Sequence, residues 1–170
     1  DGINELTRIY VKYHELSEND PSMDDKAREW FKKIENGNDE ANELFNFFKE
    51  ITFLEVNSLY EMLDIHFDSY NGEAFYSDKM APIVKELEDK ELLVEDQGAK
   101  MVKLEDYNMP PCLILKKDGA SLYATRDITA AIYRKNTYNF HKSIYVTAYQ
   151  QDLHFKQIFK VIELMGHKFY

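Results

Sequence analysis

Apolar side chains recur at spacings of three and four through the first third of the chain. Ile3, Leu6, Ile9, Tyr10, Tyr13 and Leu16 fall on one face of a helix over 3–16. Asp20-Pro21-Ser22 interrupts that pattern. A second helix is expected from after Ser22 to about Glu35, turning Ala27, Trp30, Phe31 and Ile34 inward, with Asn36-Gly37-Asn38 as its stop. A third and longer helical stretch runs over 40–63 and carries Leu44, Phe47, Phe48, Ile51, Leu54 and Leu59. These aromatics read as core packing rather than as a cofactor box.

The period changes near Ile65. Residues 65–70 alternate and are followed by Asn71-Gly72, which predicts a strand leading into a turn. A short helix is expected over 79–90. Strands are expected at 92–96, 100–104, 112–116 and 121–124, separated by Gln97-Gly98, by 108–111 and by Asp118-Gly119. A helix over 126–135, a strand over 143–149 and a helix over 152–165 complete the pattern. Helices first, then a mixed region, then a βαβα-like finish predict an α/β fold with a helical insertion or flank. No internal repeat or low-complexity segment interrupts it.

Composition narrows the class. At 170 residues, with 44% apolar and 31% charged side chains, the chain is globular in character and long enough for one domain or a large piece of one. No apolar run approaches the roughly 20 residues of a membrane span, and no signal peptide opens the chain. The single Cys112 excludes an internal disulfide and a cysteine-based zinc site, and fits a reducing cytosol. The chain opens Asp1-Gly2-Ile3 without Met and closes on Gly166 followed by His167-Lys168-Phe169-Tyr170, a helix stop and the start of a strand. An excised fragment is therefore expected. The net charge of −10 is uneven: residues 1–60 and 61–118 each carry −7, whereas residues 119–170 carry +4. The acidic two-thirds is a poor platform for nucleic acid, whose binding needs clustered Lys and Arg.

Two strand–helix junctions concentrate the polar chemistry. In Leu122-Tyr123-Ala124-Thr125-Arg126-Asp127-Ile128, Thr125 can cap the helix and Asp127 can sit in its first turn near the positive dipole end. A capped helix alone would account for that pattern. Functionally, a carboxylate and a phenol within about one turn, at the strand edge where α/β sheets bind ligands, suit a planar cation with several donors. The second junction, 144–155, has Asp152 as the expected N-cap and His154 just inside the helix, where a packing or surface histidine is the plain alternative to a catalytic one. Lys79-Met80-Ala81-Pro82 begins like a nucleotide-enzyme signature but reads as the first turn of a helix with a proline near its start. The five histidines have no metal-binding spacing, the carboxylates form no evident dyad, and there is no Walker or dinucleotide-binding glycine loop.

Several motifs in one order carry a family resemblance. Asp118 to Asp127 with Ala130-Ala131-Ile132-Tyr133-Arg134 behind it resembles arginyl-tRNA synthetases, as does Ile144-Tyr145-Val146 followed by Gln150 to Gln157. Phe67-Asp68-Ser69-Tyr70-Asn71-Gly72-Glu73 is similar to that family's Phe-Asp-x-x-x-Gly-Glu segment, and Ala27 to Phe31 and Leu6 to Tyr13 resemble its insertion helices. The resemblance implies part of a Rossmann-type class I catalytic domain. It divides the chain into a helical insertion over 1–64, a mixed α/β, hairpin-rich insertion over 65–118, and the second half of the nucleotide-binding fold over 119–170. It implies a ligase that joins arginine to tRNA(Arg) through an arginyl-adenylate, using ATP and Mg2+, in the cytoplasm, as a monomer and away from membranes. Tyr123 and Asp127 resemble the residues that recognise the substrate guanidinium. Gln151 resembles the one at the amino-acid backbone end, and His154 lies beside it, on the nucleotide side or in the pocket. No residue is assigned a catalytic role and none a metal. Two departures stand out: the His-x-Gly-His and Lys-Met-Ser-Lys-Ser signatures are absent, so the piece alone is expected to be inactive. The rival readings are a non-catalytic synthetase-like arginine-binding protein and an α/β protein-interaction domain.

Overall fold

The three helical periods of the first third fold as helices in a computed structural model, which describes residues 2–169 and gives only the backbone of Glu35. They are α1 (Gly2–Ser17), α2 (Ser22–Glu35) and α3 (Asp39–Met62). Asp24 and Asp25 in the first turn of α2 and Lys32 and Lys33 in its last complement the helix dipole. Asn38 starts α3, its side-chain oxygen accepting from the Ala41 N–H at 3.1 Å. α3 packs on both α1 and α2, and the chain through Tyr70 forms one compact unit.

The expected aromatic core of this unit does not close. Ala41 is its only buried apolar residue among those described, while Trp30, Phe31, Leu44, Phe47, Phe48, Leu54 and Leu59 stay exposed. The reason lies in the helical period. Leu44, Phe45, Phe47 and Phe48 fan over about 160° of the α3 circumference, wider than the stripe one helix face usually buries. Residues 65–70 are not a strand. Asp64 turns the chain at φ 53°, and Phe67 and Tyr70 pack edge-on to Tyr60 and Phe53 at 4.8 and 5.2 Å between ring centres. With no partner strand, aromatic contact with α3 decides the path of this segment.

The second unit begins at Asn71. A 3-10 turn (Glu73–Lys79) leads into α4 (Met80–Asp89), which matches the helix expected over 79–90 to within a residue at each end. Pro82 occupies the first turn of α4, where a missing N–H costs nothing. The strands β1 (Leu93–Asp96), β2 (Ala99–Val102) and β3 (Cys112–Leu115) form an antiparallel sheet in the order β1-β2-β3. Asp96 pairs with Ala99 across Gln97-Gly98, both at positive φ (51° and 84°), as a two-residue primed hairpin turn requires.

The strand expected at 121–124 is a single bridge between Ser121 and Leu115, and the helix begins earlier than expected, as α5 (Tyr123–Tyr138). The cause is a tight return after β3. Lys116 N–H donates to the Ala120 carbonyl at 2.8 Å, and Asp118 accepts from the Ala120 N–H at 3.1 Å. α6 (Asp152–Leu164) follows a 3-10 turn over Tyr149–Gln151. It ends where Gly166 takes φ 86° and the His167 N–H reaches back to the Ile162 carbonyl. Lys90 Nζ donates to the Met165 carbonyl at the same helix end.

The strand expected at 143–149 is also absent. The segment has no partner strand among the described residues, and Ile144 (74% exposed) and Val146 (93%) project into solvent. An alternating sequence makes a strand only where a neighbour takes up its backbone groups. Arg134 holds the segment from α5, over the Tyr145 ring at 5.7 Å with Nη1 3.4 Å from its hydroxyl. Phe169 is not in a strand, and Tyr170 lies outside the described residues.

Leu87, Val102, Leu104, Ile114, Ile128, Ile158, Val161 and Met165 form the core between the sheet, α4, α5 and α6. Cys112 lies within it, and burial pushes its thiol up to about 12. So little thiolate exists at pH 8 that alkylation mapped by mass to the Cys112 peptide should run at least about a hundredfold slower in native protein than in urea. Comparable native and denatured rates would show that this core opens readily. No described helix is long and apolar enough to cross a membrane.

Candidate functional site

The start of α5 is fixed by one backbone carbonyl. Ile114 O, on β3, accepts from the Leu122 N–H at 3.1 Å and from the Thr125 hydroxyl at 2.5 Å. Thr125 is fully buried, and its hydroxyl anchors the helix to the sheet instead of capping it. Leu122 occupies the N-cap position and supplies no side-chain bond. The cap expected at Thr125 therefore moves three residues back. Asp127 consequently falls in the second turn of α5, beyond the reach of the first-turn dipole expected for it. Tyr123 and Asp127, four residues apart, share one helix face.

The second junction is also displaced. Gln151 takes the N-cap position of α6 without a side-chain bond, and Asp152, expected there, is the first helical residue. The 3-10 turn over Tyr149–Gln151 brings the chain into the helix one residue earlier than an Asp152 cap implies. His154 is then the third residue of α6.

α5 and α6 pack together, and this brings two of the four site residues into contact. His154 Nε2 lies 2.8 Å from Asp127 Oδ2, with side chains 31% and 37% exposed. The Phe155 ring meets the imidazole nearly perpendicular, at 5.3 Å, and packs in turn on Tyr145 at 5.1 Å. Tyr123 and Gln151 are exposed, and their side chains have no hydrogen bond among the described residues.

The residue before Asp127 makes the pairing hardest to foresee. Arg126 Nη1 donates to Glu73 Oε2 at 2.7 Å across 53 positions. The Arg126 side chain is only 14% exposed, and its buried Nε has no partner among the described residues. This pair ties the 3-10 turn at Glu73 to the first turns of α5. Glu73 ends the Phe67–Glu73 motif, the only sequence signal that singled it out.

The two clefts bordering α6 are not lined by these residues. The larger, about 710 Å³, is lined by Tyr107, Met109, Phe140, Tyr145, Phe159 and Phe169 among others, and by none of the four site residues. A second, about 330 Å³, lies along Ser143, Tyr145, Thr147 and Phe155. Both border the unpaired 143–149 segment. Among the described residues no three His, Cys, Asp or Glu side chains converge as metal ligands would.

In chemical terms the arrangement offers a carboxylate with one oxygen engaged by an imidazole and the other without a partner among the described residues. An exposed phenol stands one turn away. Such a carboxylate can accept a planar, charged donor group.

Known proteins match along nearly the whole chain. The family model described as the catalytic domain of class I (R) tRNA synthetases matches residues 1–169. An arginine–tRNA ligase from Clostridium botulinum (strain Okra / Type B1) is 58% identical over 167 residues, which is 98% of this chain and 30% of the relative. One from Alkaliphilus metalliredigens is 57% identical over the same shares. The chain thus spans about a third of the length of the curated relatives it matches. The crystal structure of arginyl-tRNA synthetase from Plasmodium falciparum superposes with a TM-score of 0.75 at 27% identity, over 89% of this chain and 27% of that one. A Campylobacter jejuni structure described as a putative arginyl-tRNA synthetase has a TM-score of 0.67 at 18% identity, covering 85% of this chain and 32% of that one, a likeness of fold alone.

Proposed function

Since the chain belongs to the catalytic-domain family of the class I (R) tRNA synthetases, we propose that it is the amino-acid-recognising middle of an arginine–tRNA ligase. The whole protein activates arginine with ATP: a carboxylate oxygen of arginine attacks the α-phosphorus and pyrophosphate leaves. A terminal ribose hydroxyl of tRNA(Arg) then attacks the acyl carbon of the adenylate, taking the arginyl group as AMP leaves. The helical part over 1–64 is the insertion, 65–118 the mixed insertion, and 119–170 the second half of the nucleotide-binding fold. A monomer in the reducing cytoplasm is the proposed setting.

One observation carries the reading: Asp127 presents a carboxylate oxygen that no other described group engages, on the helix where the family resemblance puts guanidinium recognition. Arginine offers a rigid fork of donors that a carboxylate can meet with two parallel bonds, whereas lysine offers a point charge. Asp127 is one of only three acids among residues 119–170, a stretch that carries +4. A placed carboxylate in such a stretch is what favours a cationic substrate there. On this reading Tyr123, on the same face, flanks the guanidinium, and Gln151 at the start of α6 meets the amino-acid backbone end.

The phosphate side lies elsewhere in the protein. The sequence holds neither class I signature loop, and the described residues offer Mg2+ no ligand cluster, so the ion that accompanies ATP is given no partner here. The test compares the full-length protein with the 170-residue chain in arginylation of tRNA. Full-length protein should charge tRNA with arginine and the chain should not. Robust charging by the chain alone would discard the division of labour, and no charging by folded full-length protein would discard the function.

A further inference from the structure

The Asp127–His154 contact has a role of its own to explain. A carboxylate more than a third exposed, near the start of a helix, has several rotamers open to it and water to bond with. A two-pronged bond to a guanidinium tolerates only a narrow orientation. Both arginines of α5 are already committed: Arg126 to Glu73 at 2.7 Å, and Arg134 to the ring and hydroxyl of Tyr145. His154 is the only described group bonded to the Asp127 carboxylate. The imidazole is itself braced by Phe155, whose ring is seated on Tyr145 and on Phe159 at 5.9 Å.

Resting on the reading of Asp127 as guanidinium acceptor, we infer that His154 is a positioning residue for arginine. Its Nε2–H donates to Asp127 Oδ2 and so fixes the carboxylate plane with Oδ1 turned to the substrate. The imidazole suits this role because its Nε2–H is a single directed donor. This differs from a place on the nucleotide side: the group His154 acts on is the specificity carboxylate, and its loss is felt in arginine and not in ATP. The tautomer follows from the bond, since an ionised carboxylate only accepts.

The experiment uses the full-length protein in arginylation assays with arginine and ATP varied separately. His154→Leu should raise the KM for arginine about tenfold, the worth of one charge-assisted hydrogen bond, with the KM for ATP unchanged and kcat within about threefold. His154→Gln, whose amide nitrogen reaches about as far as Nε2, should return the arginine KM to within about threefold of wild type. An unchanged arginine KM in His154→Leu would overturn the positioning role while leaving the ligase reading intact. So would an ATP KM that rises as much as that for arginine, or a Gln variant as impaired as Leu. A wild-type protein without arginine-dependent charging overturns both readings together.

Discussion

Asp127→Asn in the full-length protein should lower arginylation of tRNA at least about a hundredfold, with folding and ATP binding preserved. The substitution is nearly isosteric, so it removes charge without opening a cavity. It also turns one acceptor oxygen into an NH2 donor, which faces either the guanidinium or the His154 Nε2–H, donor against donor. Breaking a buried ion pair by removing one partner costs about 3–5 kcal/mol. With the Asp127 side chain more than a third exposed, water recovers part of that, and the low end, about 3 kcal/mol, corresponds to roughly a hundredfold. Steady-state charging with arginine varied is the measurement. Activity equal to wild type would keep the ligase and discard this site. The effect should exceed that of His154→Leu, because one residue supplies the charge and the other only aims it.

The ordering of those two effects also marks what the sequence could carry. Residue types at the site were readable: an acid and a phenol four apart, and a histidine just inside the next helix. Their meeting was not, since the Asp127–His154 bond spans 27 positions and depends on how α5 and α6 pack. Thr125 shows the same limit. Its type reads as a helix cap, yet its hydroxyl goes to Ile114 O on a strand that the local pattern does not connect to it. Features governed by adjacent residues were legible, among them the Asn36-Gly37-Asn38 stop of α2, Pro82 opening α4, the Gln97-Gly98 turn and the Gly166 stop. Strands at 65–70 and 143–149 were overread for one reason. Alternation states which faces a strand would present, and only a neighbour makes it a strand. Ile144 and Val146 alternate correctly and remain exposed because nothing described pairs with them.

The second large effect belongs to the scaffold behind the site. Ile128, the residue after Asp127, is fully buried in one cluster with Leu87, Leu104, Ile114, Ile158 and Val161. Ile128→Ala should cost about 2–5 kcal/mol, from lost burial and from a cavity that surrounding side chains fill only in part. Against the roughly 5–15 kcal/mol that holds a typical domain, this is a large share. Hydrogen exchange is the suitable measurement because it reads α5 locally in a long protein where one global unfolding energy is not defined. Protection of the α5 amides should fall about thirtyfold or more, the low end of that range, whereas Ile128→Val, at about 0.5–1.5 kcal/mol, should lose about tenfold or less. Asp127→Asn should leave the same amides protected to within about threefold, since its side chain is partly exposed and lies outside the core cluster. If instead it loosened α5 as Ile128→Ala does, its effect on charging would be a folding effect and the guanidinium role would fall. Protected amides with lost charging in one variant, and exposed amides in its neighbour, would separate recognition from support at consecutive residues of one helix.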